Sequence, residues 1–276
     1  LQAYLGLAEG YHTFDVRATD EAGNTTEKLV TVATAYPSNI RAVHVTGAAW
    51  AYSPLRNPVL ALIKAHKINA VELDIKDEDG IINYSSQIPL AKAAKSTFGY
   101  YKLPQVTDQL HKLGVRVIGR VVAFNDPKLA AYAEAHHKNA WFIQNPNGTK
   151  YLYGYNKHGF TNFANPEVRK YNHDIAVEAI KGGFDDVVYD YIRRPDGKIE
   201  GMRFPGLKGK PEDSIASFLK EAQGRVEPIA LVATMELAST LALLSFAWIG
   251  VAGVTFADPA RDEFGDPRGL LDDVAH

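Results

Sequence analysis

The stretch Phe184-Asp185-Asp186-Val187-Val188-Tyr189-Asp190-Tyr191-Ile192-Arg193-Arg194-Pro195 constrains the fold more than any other part of the chain. It follows a helical segment that closes at Gly182-Gly183, and its β-branched run is bounded by turn residues. That is the pattern of a strand buried on both faces in a parallel sheet. The strand ends on Asp190, and Pro195 stops regular structure soon after. A carboxylate at the C-terminal end of such a strand is where α/β barrels place their chemistry.

The sequence before it alternates strand and helix patterns. Arg41 to Gly47 reads as a first strand, followed by a helix from Asn57 to Ile68 with Asn57 as N-cap and Pro58 at its first position. Ala70 to Gly80 is a second strand running into an acidic loop, and Pro104 to Leu113 a helix closed by Gly114. Val115 to Phe124 is a third strand and Lys128 to His137 a short helix. Trp141 to Phe163 is a long aromatic loop and Pro166 to Ile180 a helix; the Asp190 strand is the fourth, with a helix from Pro211 to Gln223 beyond it. This order predicts an α/β fold with a parallel sheet, most simply a (β/α) TIM-type barrel over residues 36–276, with a doubly wound open sheet as the alternative. The text after Arg225 is short for the remaining strands, since such barrels take about 250 residues, so the barrel is expected to be incomplete at its C-terminus.

Residues 1–35 differ. Tyr11 to Ala18 and Glu27 to Val32 alternate in the manner of strands around the turn cluster Thr19-Asp-Glu-Ala-Gly-Asn-Thr-Thr. This small all-β fragment resembles the last two strands of bacterial immunoglobulin-like domains, and Tyr36-Pro-Ser-Asn reads as a linker. The chain opens at Leu1 without an initiator Met or signal peptide and is expected to be part of a longer protein.

Composition narrows the function classes. A formal net charge of -2 gives no global electrostatic case for a nucleic-acid partner. The absence of Cys excludes disulfides, thiolate catalysis and Cys-ligated zinc. The longest apolar run, Ile229 to Val254, is interrupted by Glu236, Ser239, Thr240 and Ser245, so no membrane span is expected. No Gly-x-Gly-x-x-Gly follows the first strand and no cofactor is expected; His136, His137 and His158 lack a ligand spacing, so no metal is expected either.

Four ordered blocks carry a resemblance: Val43-His-Val-Thr-Gly; Val71-Glu-Leu-Asp-Ile-Lys-Asp-Glu-Asp-Gly with Tyr84 and Ile88-Pro-Leu-Ala; Val117-Ile-Gly-Arg-Val-Val-Ala-Phe-Asn-Asp-Pro; and Phe184 to Pro195. Together they resemble the glycosyl hydrolase-like TIM-barrel family of bacterial secreted proteins, related to the α-amylase type of barrel. The family's usual last block is Phe-Asp-Tyr-Ile-Arg-Phe-Pro; here Tyr189 and Arg194 replace the two Phe residues, and the match fades after about Arg225.

The resemblance implies a hydrolase of an extracellular or cell-wall polysaccharide, working with two carboxyl groups. Asp190 falls where the fourth-strand nucleophile stands, unless it serves only as the partner of Arg193 or Arg120 in a structural ion pair. Glu236 falls where the fifth-strand acid/base stands, or else is a surface Glu opening a helix. Asp74, Lys76 and Asp77 are candidates for substrate binding or orientation of Asp190, with Asp74 and Lys76 sharing one face of their strand. Arg120, Tyr191 and Arg193 join them at the mouth, and Trp141, Tyr153 and Tyr155 are candidate stacking surfaces for sugar rings. A non-catalytic carbohydrate-binding barrel is the competing class; a metal-dependent deacetylase lacks its His/Asp constellation.

Overall fold

The computed structural model of the chain describes residues 11–33, 39–154, 158–226 and 230–233. Strands β1 (Tyr11–Thr19) and β2 (Thr25–Ala33) form the antiparallel hairpin read from the N-terminal alternation. Its turn is held by Asp20, whose carboxylate accepts the Ala22 and Asn24 N–H groups and the Asn24 side-chain amide.

The next elements are β3 (Ala42–Val45), the short helix α1 (Gly47–Ala51) and α2 (Ser53–Lys64). Helix α2 begins about a turn earlier than the sequence predicts. Tyr52, not Asn57, is the N-cap; Pro54 occupies the first turn, and Pro58 lies inside the helix. The N–H that Pro58 lacks would have reached the Pro54 carbonyl, and Pro54 is exposed, so water can take its place. Strand β4 (Ala70–Lys76) is followed by α3 (Pro89–Ala93) and α4 (Gln105–Lys112), and β5 (Arg116–Val122) by α5 (Pro127–Ala135), whose N-cap is Asp126. The aromatic loop holds a two-residue ribbon, β6 (Leu152–Tyr153) and β7 (His158–Gly159), and leads to α6 (Pro166–Lys181). Strand β8 (Asp186–Asp190), α7 (Pro211–Val226) and β9 (Ala230–Ala233) complete the described chain.

Strands β3, β4, β5, β8 and β9 form one sheet in that order, every neighbouring pair parallel. Each new strand joins the same edge. A doubly wound sheet reverses its direction of growth once, and no reversal occurs here; the order is that of a growing (β/α) barrel. Among the described residues the sheet does not close, with β3 and β9 at its edges.

Alternation gives the sheet two unlike faces. Val45, Leu73, Val117, Val121, Val187 and Tyr189 face the helices and form the main core. The other face carries Ala70, Ile118 and Val188, a small apolar floor with Ile40 against it. The helix-side packing is close at Gly119, where a Cβ would stand 2.2 Å from Ile75 Cδ1 and 2.8 Å from the Phe184 ring. No larger residue fits there without displacing core side chains.

One irregularity matters for the site. The β4–β5 register runs evenly up to Asp74↔Arg120 and then shifts, Lys76 pairing with Val121. This β-bulge breaks the alternation expected between Asp74 and Lys76. Asp74 stays on the inner face, whereas Lys76 enters the layer between sheet and helices.

Candidate active site

The inner face gathers charge at the C-terminal ends of four successive strands: His44 on β3, Glu72 and Asp74 on β4, Arg120 on β5 and Asp190 on β8. Arg120 is the junction. Its Nε and Nη2 donate to Asp190 Oδ2 at 2.8 and 2.5 Å, its Nη1 donates to Asp74 Oδ1 at 2.9 Å, and Nη2 also reaches Glu78 in the loop after β4. His44 Nε2 lies 2.8 Å from the same Asp74 oxygen. Asp190 Oδ1 accepts the Tyr191 backbone N–H at 2.6 Å. Asp74 is fully buried, whereas the Asp190 side chain keeps 14% of its surface exposed and Glu78 41%. Asp190 is thus the carboxylate at the rim of the cluster and Asp74 the one beneath it.

These neighbours shape proton affinity in opposite directions. Burial works against the Arg120 charge, but hydrogen bonds and attraction from Glu78 and Asp74 outweigh it and raise its pKa. Burial likewise pushes Glu78 up, and its bond to Arg120 more than reverses this. The hydrogen bond to Asp74 raises His44 above the ordinary histidine value. Glu72 is raised, chiefly by burial. Asp77 is pushed to about 6, again chiefly by burial, although it accepts the Ile81 and Asp79 backbone N–H groups.

The other expected site residues divide in two. Tyr153, Tyr191 and Arg193 come together beside Asp190: the Arg193 guanidinium lies 4.9 Å from the Tyr191 ring centroid and 5.7 Å from that of Tyr153, while the Tyr153 hydroxyl donates to Asp196. Tyr191 takes a positive φ of 50° directly after Asp190, which turns the chain away from the strand.

Lys76 and Trp141 lie elsewhere. Lys76 is wholly buried, its Nζ donating to Asp126 Oδ2 and Asn172 Oδ1 at 2.8 Å and to the Ala123 carbonyl at 3.2 Å. The bulge after Asp74 is the cause, and it leaves Lys76 buttressing the strand ends rather than facing the mouth. Trp141 is 5% exposed; its Nε1 donates to Glu167 and Lys138 covers its ring, so the indole face is filled by protein. Glu236 and Tyr155 lie outside the described residues.

His44, Glu72 and Glu78 are members of the cluster that sequence reasoning did not single out. A signal existed for two of them. His44 sits opposite Glu72 in the β3–β4 register, and Glu72 precedes Asp74 by two residues, so all three share one face once the strands are aligned.

Fold and cluster together define an α/β protein of barrel-type strand order, with its carboxylates and their arginine at the C-terminal ends of successive parallel strands. Residues 42–240 match the family described as "Putative glycosyl hydrolase domain", and the chain belongs to that family. Among solved structures, a hypothetical protein from Ruminiclostridium thermocellum ATCC 27405 is similar at 28% identity with a TM-score of 0.63, over 70% of this chain and 96% of that one. An α-galactosidase from Thermus thermophilus aligns at 12% identity and TM-score 0.47, over 77% of this chain and 44% of its own. An α-galactosidase from Lactobacillus brevis aligns at 15% and 0.47, over 71% and 27%. No curated protein matches the chain.

Proposed function

We propose that the chain is a glycoside hydrolase that cleaves glycosidic bonds of an extracellular or cell-wall polysaccharide by a two-carboxylate, retaining mechanism. The observation that carries this reading is the position of Asp190, at the C-terminal end of the fourth parallel strand, partly open to solvent and held at one oxygen by Arg120. In such a mechanism Asp190 attacks the anomeric carbon, and a second carboxyl about 5–5.5 Å away protonates the leaving oxygen and then activates water. We assign the second role to Glu236, three residues past β9 in sequence, where β9 is the strand paired with β8. Tyr191, Arg193, Tyr153 and Tyr155 are assigned to substrate binding, with Asp74 and Asp77 at the base of the mouth.

A carbohydrate-binding barrel without catalysis is the second reading. It is favoured by the hydrogen bonds at both oxygens of Asp190, which suit a fixed anchor as well as a nucleophile.

The test is release of reducing ends from a panel of soluble polysaccharides, with binding measured on the same panel. The hydrolase reading expects activity in the parent chain, its loss in Asp190→Asn and Glu236→Gln with binding retained, and partial return of Asp190→Gly by azide. Binding in all variants with no reducing ends from any of them supports the binding module instead.

A further inference from the structure

His44 contributes to the cluster through one shared atom. Asp74 Oδ1 accepts from Arg120 Nη1 at 2.9 Å and lies 2.8 Å from His44 Nε2, while Asp74 Oδ2 is buried with no hydrogen-bond partner among the described residues. A carboxylate with no exposed surface needs its charge compensated by neighbours. Among the described residues Asp74 has two side-chain partners for this, His44 and Arg120, and Arg120 is also the donor to Asp190 and Glu78. His44 is the member of this chain of contacts whose side chain, unperturbed, changes charge closest to neutral pH, and its side chain is 43% exposed, so protons reach it from solvent.

We propose that His44 is a positioning residue for Asp190, acting through Asp74 on Arg120. The proposal rests on the reading of Asp190 as the working carboxylate. With His44 protonated, Asp74 divides its charge between imidazolium and guanidinium, and Arg120 keeps Nε and Nη2 on Asp190. When His44 is neutral, Asp74 draws its whole compensation from Arg120, in competition with Asp190. The charged groups acting on His44 are Asp74 and Glu72 from β4, Arg120 from β5 and Glu78 from the loop after β4. The hydrogen bond to Asp74 and the carboxylate charges favour the imidazolium, burial and Arg120 oppose it, and the balance raises His44 above the ordinary histidine value.

The experiment follows the Arg120 Nε–H resonance by nitrogen-edited NMR of the full chain from about pH 5 to pH 9, alongside the His44 ring protons. The Arg120 signal is identified by its loss in Arg120→Lys. The expected result is that it moves with the His44 midpoint, and that the movement disappears in His44→Gln, which keeps a side-chain N–H donor but does not titrate. An Arg120 signal that stays fixed through the His44 titration, or that moves identically in His44→Gln, overturns the proposal. If His44→Gln does not fold, Asp74→Asn carries the test: the His44 midpoint falls and Arg120 ceases to follow it, and persistence of the coupling overturns the proposal. No substrate is involved, so failure here is distinct from failure of the hydrolase reading.

Discussion

Arg120 reaches Asp190 diagonally across the β5–β8 pair: Asp190 stands opposite Val122, two residues beyond Arg120, yet two nitrogens of the guanidinium meet its Oδ2. The planar, multi-donor head of Arg is what lets one side chain serve Asp190, Asp74 and Glu78 together.

Replacing Arg120 therefore exposes three carboxylates to each other at once. Arg120→Met is expected to lower unfolding free energy by about 3–5 kcal/mol, the range for breaking a buried ion pair from one side. Arg120→Lys restores the charge but not the three-way geometry, so it recovers stability only in part and, on the proposed hydrolase reading, leaves reducing-end release impaired. Urea unfolding and reducing-end release separate the two effects.

The buried pair of Lys76 and Asp126 is expected to behave as a unit. Lys76→Met leaves Asp126 without its cation and costs about 3–5 kcal/mol. Asp126→Asn keeps an acceptor for the α5 cap at the Leu129 N–H, so the double variant loses less than the sum of the singles. A double-mutant cycle in chemical denaturation measures this; strict additivity refutes the pairing.

Asp77 gives stability a definite slope with pH. Its folded pKa of about 6 lies above the ordinary 3.8, so folding favours the protonated form. That contribution is complete below the ordinary value and is lost as pH rises through about 6. Asp77→Asn is then expected to stabilise the protein at about pH 7 by roughly 1–2 kcal/mol, allowing for partial solvent exposure, with the gain shrinking toward about pH 4. His44 slopes the same way: its raised value adds stability below the ordinary 6.5, lost as pH climbs through its own higher value. Thermal unfolding across this range checks both.

Gly119→Ala should destabilise by about 1–3 kcal/mol through overpacking against Ile75 and Phe184. Ile75→Val, which removes the nearest methyl, should return part of the loss. If the single variant is as stable as the parent, the packing described at this point is wrong.

Much of the scaffold is legible in the sequence because its strands are short apolar runs with clear breaks. The run ending at Asp190 reads as the fourth parallel strand, and that is its place in the sheet. The Arg120–Asp190 pairing is also readable, both residues lying near the ends of adjacent strands. Lys76 is not, because a one-residue bulge turns it to the helix side and strict alternation cannot foresee that. Trp141 fails for another reason: an aromatic in a long loop carries no mark of whether its face meets solvent or core. The contribution of His44 depends on inter-strand register, which a single strand does not encode.

The even growth of the sheet at one edge has a consequence for how the protein can change. Every member of the charge junction, from His44 to Asp190, belongs to four consecutive strand–helix units. The junction can therefore be inherited as one continuous block. Exchange of the segments that follow would leave each of these contacts in place.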